Sequence, residues 1–225
     1  MYNLPGITII PFGAPGAGKS LMANLLVCGK VAGPFQSSQS TQSGLTRIIT
    51  SAEGHAFNNA SYRRVKVFDI PGIGDTNLEL TKITDEIRVK CGTQKFDACI
   101  IVVKATDYRV TLQEVLALKC MREFLVGFSA QRVFCVITHC DKFKPDEEQM
   151  KSKIESFKKY GGVECPMDHI IQFNGTWKSL VPLITKIQGD QMTFASDIRH
   201  RALNLSKDIP ALVSDKAAEK KKIQE

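Results

Sequence analysis

An α/β fold, with a mostly parallel central sheet between two layers of helices, is predicted by three observations. Strand-like apolar runs alternate with amphipathic helical patterns along the chain, and such alternation places helices on both faces of a parallel sheet. The first apolar run, GITIIPF at 6–12, leads at once into a glycine-rich octapeptide and then a helical pattern. The chain has 225 residues, 43% of them hydrophobic, enough for one α/β domain with a full core.

Taken in order, Gly6 to Phe12 reads as a buried strand, because β-branched and aromatic residues form a short unbroken apolar run. The octapeptide Gly13-Ala14-Pro15-Gly16-Ala17-Gly18-Lys19-Ser20 matches the phosphate-binding pattern G-x-x-x-x-G-K-[ST] at every specified position. Leu21 to Lys30 has helical spacing and Gly29 as its C-cap. A strand, this loop and a helix in succession give the three-layer α/β/α architecture of a P-loop NTPase. The glycines let backbone N–H groups close around phosphate oxygens, where the helix N-terminus adds positive potential. Lys19 would reach the β- and γ-phosphates, and the Ser20 hydroxyl would bind Mg²⁺. Leu21, at the helix start, completes the candidate phosphate-binding set. The loop alone does not choose a base, since ATPases and small-molecule kinases use it too.

After this helix, Ala32 to Ser51 is a polar stretch rich in Ser, Thr, Gln and Gly, which predicts a mobile loop. Tyr62 to Ile70 alternates as a strand does. Asn77 to Lys90 sets Leu80, Ile83 and Ile87 on one helical face. Phe96 to Lys104 reads as a strand buried on both sides. Thr111 to Phe128 reads as a helix with Thr111 as N-cap. Arg132 to Thr138 is a further buried strand, Pro145 to Tyr160 a charged helix ending at Gly161-Gly162, and His169 to Phe173 the last core strand. The segment from Trp177 onward is expected to be helical, with Trp177 packed against the core in preference to a base.

Composition narrows the function. Seven cysteines, odd in number and without C-x-x-C, read as buried thiols of a reducing compartment. No apolar run is long enough to span a bilayer, and no signal peptide is visible, so a cytoplasmic protein is expected; peripheral membrane association is left open. The formal charge of +7 suits an anionic ligand. No basic stripe is interleaved with aromatics, which argues against nucleic-acid binding.

The other motifs fall at strand ends, where ligands bind in such sheets. Asp69-Ile70-Pro71-Gly72 fits D-x-x-G: Asp69 would hold Mg²⁺, and the N–H of Gly72 would sense a γ-phosphate. An Asp before Pro-Gly is also an ordinary turn. Thr138-His139-Cys140-Asp141 fits a relaxed [NT]-[KRH]-x-D. The Asp141 carboxylate can accept from guanine N1–H and the 2-amino group, a pair of donors that adenine lacks. Thr138 would tether the phosphate loop. Alternatively, Asp141 merely caps a bend. Phe173-Asn174-Gly175 falls where backbone N–H groups would approach guanine O6. Together these imply GTP/GDP and Mg²⁺ as ligands.

The phrases GAPGAGKS, VFDIPGIGDT at 67–76, THCD and FNG resemble the AIG/GIMAP family of immune-associated nucleotide-binding GTPases, septin-related G domains. The resemblance covers roughly residues 6 to 205 and divides the chain into a G domain at 1–205 and a helical, basic tail at 206–225. It implies GTP hydrolysis with Mg²⁺ and nucleotide-dependent dimers or oligomers; an assembly scaffold with little hydrolysis is the alternative. Thr41, Thr46 and Thr50 all lie in the polar stretch, and Thr46 falls where the family has its switch threonine. Lys19 and Thr46 are therefore the candidate catalytic residues, and Ser20, Thr46 and Asp69 the candidate metal ligands. Two departures stand out. His139 replaces the lysine that packs along the guanine plane in many G domains, and Ile73 follows Gly72 where Ras-like enzymes have a glutamine.

Overall fold

The computed structural model describes residues 4–36, 48–74, 80–106, 109–189 and 191–221, with side chains to Asp215. Six strands form the main sheet in the order β2-β3-β1-β5-β7-β8. They are β1 (Ile7–Phe12), β2 (Thr50–His55), β3 (Arg64–Asp69), β5 (Ala98–Lys104), β7 (Val133–Thr138) and β8 (Ile170–Gln172). All pair in parallel except β2, which runs antiparallel to β3. The parallel strands therefore end along one edge of the sheet, and the predicted motifs follow four of them, β1, β3, β7 and β8.

Side-chain alternation sorts the core into two clusters, one on each face. Along β5, Ala98, Ile100 and Val102 point to one cluster, and Cys99, Ile101 and Val103 to the other. The first face is covered by α1 (Lys19–Cys28) and α5 (Val181–Lys186). The second is covered by α2 (Leu80–Cys91), α3 (Leu112–Phe124) and α6 (Ile198–Lys221), with Met150 and Ile154 of α4 (Glu147–Ser156) packed on its margin. Burial on both faces explains why β5 and β7 read as unbroken apolar runs. Each fully buried Val or Ile there contributes about 1.5–3 kcal/mol.

Helix boundaries follow local chemistry. Gly29 takes the left-handed conformation (φ 68°) and donates its N–H to Leu25 O at 2.9 Å, ending α1 as expected. Thr111 caps α3 in a reciprocal box: its hydroxyl accepts from the Glu114 N–H at 3.2 Å, and Glu114 Oε2 accepts from the Thr111 N–H at 2.8 Å. The helix stops at Phe124, four residues short of the expected end, because Leu125–Val126 turns into strand β6.

Two features differ from the sequence expectation. The end of the polar stretch is not loop but β2, an edge strand whose largely exposed residues need no apolar pattern. A second sheet joins β4 (Lys95–Phe96), β9 (Met192–Phe194) and β6 (Leu125–Val126) in the order β4-β9-β6, all antiparallel. The segment after Trp177 accordingly includes a strand between two helices. Phe96 anchors the small sheet, with ring centroids 5.5 Å from Phe68 and 5.3 Å from Phe194. Helix α6 passes through 205 and 206 without interruption, Pro210 included.

All seven cysteines are free thiols, and five of them are buried. Trp177 packs against Phe57, with centroids 5.1 Å apart, and joins the margin of the core as expected. Among the described residues no helix is long and apolar enough to cross a membrane.

Candidate functional site

The site is built on the C-terminal edge of the sheet. Residues 13–18 connect β1 to α1 and lie against the backbone of β5. A Cβ on Gly13 would meet Val102 O at 2.4 Å, so only glycine fits there. The first turn of α1 has Gly18 as its N-cap, with no side-chain bond closing it. The N–H groups of a helix's first turn give that end a positive potential.

Lys19 curls back over the loop and donates to Gly13 O at 3.1 Å and Ala14 O at 3.0 Å. It is only 5% exposed. Burial pushes its ammonium down to about 8, opposed by the nearby Asp69 carboxylate. A buried lysine of this kind, whose ammonium donates to two carbonyls, would gain from a bound anion.

Ser20 donates its hydroxyl to Asp69 Oδ2 at 2.6 Å. Asp69 ends β3 and is 1% exposed. A serine hydroxyl and a carboxylate meeting beside a phosphate loop are hard oxygen donors, the set Mg²⁺ selects. Among the described residues there is no cluster of three or more His, Cys, Asp or Glu suited to a transition metal.

The segment after Asp69 is pressed onto the loop. Ile73 donates its N–H to Gly13 O at 3.1 Å, and its side chain is fully buried. Gly72 lies so close to Pro15 that a Cβ would come within 2.7 Å of the proline backbone. Gly72 is thereby brought beside the phosphate loop.

Thr138 ends β7 and reaches the same loop from the other side. Its hydroxyl can donate to Ala17 O at 2.9 Å or Val103 O at 3.1 Å, and Nδ1 of His139 lies 2.9 Å from its oxygen. The tether expected of Thr138 is thus present in the geometry. His139 has φ 63°, the left-handed region, in which its carbonyl accepts from the N–H groups of Lys142 and Phe143 at 3.1 Å each. That bend leaves Asp141 exposed beyond the strand.

The last loop is tied to this one through Cys140 N–H to Phe173 O at 3.2 Å and Phe173 N–H to Ile137 O at 2.8 Å. Asn174 accepts from the N–H and hydroxyl of Thr176 at 3.1 and 2.8 Å, leaving Gly175 (φ 83°) in open space. The side chains of two expected binding residues pack against the core. The Phe173 ring is 1% exposed within the core, in keeping with a role for this loop through its backbone. Leu21 is half-buried against the core on the α1 side. Thr46 lies outside the described residues.

A cavity of about 250 Å³ adjoins the phosphate loop, lined by Ala14, Pro15, Ala17, Gly74, Lys104, Thr111, Gln113 and Glu114. Lys104 and Gln113 belong to no motif read from the sequence. Lys104 is the last residue of β5, where ligand-contacting residues of such sheets gather, and that position was the available signal. Glu114 is 2% exposed and pairs at 3.0 Å with Lys153 of α4, itself 6% exposed.

The sequence matches the model of the AIG1 family over residues 7–165. A search of curated proteins by sequence found no match. Among solved structures the chain is similar to Toc33 from Arabidopsis thaliana in complex with Mg²⁺ and GMPPNP. The TM-score is 0.56 at 13% identity, covering 89% of this chain and 86% of that one. Toc33 in complex with GDP and Mg²⁺ gives 0.54 at 14% identity, with 90% and 86% covered. Era in complex with MgGDPNP and a segment of 16S ribosomal RNA gives 0.55 at 21% identity, with 83% and 59% covered. At these identities the likeness establishes the fold alone, a three-layer α/β/α domain with a phosphate loop after its first strand.

Proposed function

The chain belongs to the AIG1 family, and from that premise we propose that it binds GTP and GDP with Mg²⁺, hydrolyses GTP to GDP and phosphate, and switches between nucleotide states by self-association. One observation supports this above the others. The phosphate loop, Asp69, Thr138-His139-Cys140-Asp141 and Phe173-Asn174-Gly175 stand at the ends of β1, β3, β7 and β8, and hydrogen bonds join them along one edge of the sheet.

In this reading, backbone N–H groups of residues 13–21 cradle the phosphates, and Lys19 exchanges its two carbonyl partners for β- and γ-oxygens. Ser20 and Asp69 hold Mg²⁺, with Thr46 as the ligand that arrives with the γ-phosphate. Bound Mg²⁺ supplies charge neutralisation between the terminal phosphates. Asp141 accepts from guanine, His139 lies along the base, and the backbone of 174–175 faces O6. We assign 1–205 to the nucleotide-binding domain and 206–225 to the tail.

Self-association has support from a relative: one solved structure is described under the statement that dimerization is important for the GTPase activity of the chloroplast translocon components atToc33 and psToc159. Its TM-score is 0.55 at 14% identity, with 77% of this chain and 71% of that one covered. In our reading a second copy covers the nucleotide face of the first through a two-fold contact. Buried Ile73, which offers no polar group, favours a second reading, a GTP-dependent scaffold that hydrolyses little.

The test is competition of GTP and ATP for the purified protein, joined to light scattering with GDP and with a GTP analogue. Preference for GTP and a doubled mass in the analogue state are expected. Equal affinity for both nucleotides would remove the guanine assignment, and an unchanged mass with concentration-independent turnover would remove the switch.

A further inference from the structure

We propose that Gln113 holds the water that attacks the γ-phosphorus; the role rests on the GTPase reading above. The residue that directly follows Gly72 cannot do so. Ile73 is fully buried in the larger core cluster, and its N–H is committed to Gly13 O at 3.1 Å. Its side chain fastens the segment to the core and turns no polar atom toward the phosphate loop.

The next residue brings a replacement within reach. Gly74 (φ 90°) packs so tightly under α3 that a Cβ on it would come 2.8 Å from Gln113 Cγ. Gln113 is exposed and occupies the second position of α3. It lines the cavity of about 250 Å³ that Ala14 and Pro15 of the phosphate loop also line. A water takes about 30 Å³ in the liquid, so this space accommodates terminal phosphate oxygens and an attacking water together.

The chemistry of the lining selects Gln113. Orienting a water needs an acceptor for one of its protons and a donor beside it, and a carboxamide has both. Glu114 is committed to Lys153 and to the Thr111 N–H, and the Thr111 hydroxyl accepts from the Glu114 N–H. Lys104 brings positive charge: its Nζ lies 3.8 Å from where a Cβ on Gly16 would sit. In the step itself, the water oxygen forms a bond to the γ-phosphorus as the bond to the β–γ bridging oxygen breaks. GDP leaves with that electron pair, and the water's protons go to the phosphate products. Gln113 Oε1 accepts from the water and exchanges no proton.

The experiment uses the full chain and the variants Gln113→Ala and Gln113→Glu. Three quantities are measured: affinity for GMPPNP, single-turnover GTP hydrolysis at saturating protein, and formation of a GDP–aluminium fluoride complex, which mimics the attacked state. For Gln113→Ala, affinity within about twofold of wild type, hydrolysis reduced about 100-fold and loss of the fluoride complex are expected. A Gln113→Ala rate equal to wild type would overturn the role and leave the GTPase reading standing. A rate loss matched by an equal loss of GMPPNP affinity would also overturn it, since Gln113 would then act through binding. Wild-type protein that binds GTP and never turns it over would overturn both.

Discussion

Binding of a guanine nucleotide should draw protons out of solution above pH 7.5, and Lys19 is the group that takes them up. Lys19 is 5% exposed, and its ammonium donates to the carbonyls of Gly13 and Ala14. Burial lowers it from the usual 10.5 to about 8 against the opposing pull of Asp69. At about 1.4 kcal/mol per unit, keeping that charge in the empty site costs about 3 kcal/mol. The folded value lies below the unfolded one. The protein is therefore relieved of this burden above about pH 10.5 and bears it fully once the pH falls below about 8.

A triphosphate placed against the ammonium restores the proton. About half of the free protein is neutral at Lys19 at pH 8 and about nine-tenths at pH 9, so uptake should be near 0.5 and 0.9 proton per site, and small at pH 7. The nucleotide phosphates are fully ionised from pH 8 upward and add little. Calorimetric titration in two buffers of different ionisation enthalpy reads this uptake directly, and Lys19→Met should abolish it along with most affinity. Tight binding at pH 9 with uptake below about 0.1 would refute the reasoning, because Lys19 would then be charged before the ligand arrives.

Two further predictions follow from the geometry. Asp141→Asn should weaken GTP binding and shift preference toward xanthine nucleotides, since an amide presents a donor where guanine requires an acceptor; a competition assay with XTP and GTP reads the change. Glu114→Ala should destabilise by about 3 kcal/mol, lowering the melting temperature by roughly 10 °C, because the counter-charge 3.0 Å from Lys153 disappears. Glu114→Leu combined with Lys153→Met should recover most of that loss in thermal denaturation.

The sequence and the structure agree where short-range chemistry decides the outcome. The phosphate loop was legible because its glycines and lysine are contiguous, and its strand and helix flank it directly. Asp69, Thr138 and Asp141 were legible because each follows an apolar run that could only be a buried strand. Strand β2 was not: TSAEGH has one neighbour and exposed faces, so nothing in its pattern separates it from the polar stretch before it. The small sheet escaped because two- and three-residue strands have no period to read. Gln113 escaped for another reason. Its partner is Gly74, 39 residues away, and the packing of α3 brings them together without any motif spanning both.

The glycines and the lysine of the phosphate loop would age differently in a descendant that abandoned nucleotide chemistry. Gly13 is demanded by Val102 O and Gly72 by the Pro15 backbone, both neighbours within the protein itself. Neither constraint relaxes when the ligand is lost, so both glycines would persist as scaffolding. Lys19 is the reverse: in the empty site it is a standing burden of about 3 kcal/mol, and an apolar residue there would raise stability at once. A decayed copy would therefore keep its glycine loop and drop its lysine early. By that measure Lys19, more than the glycines around it, is the mark of a chain still held to its ligand.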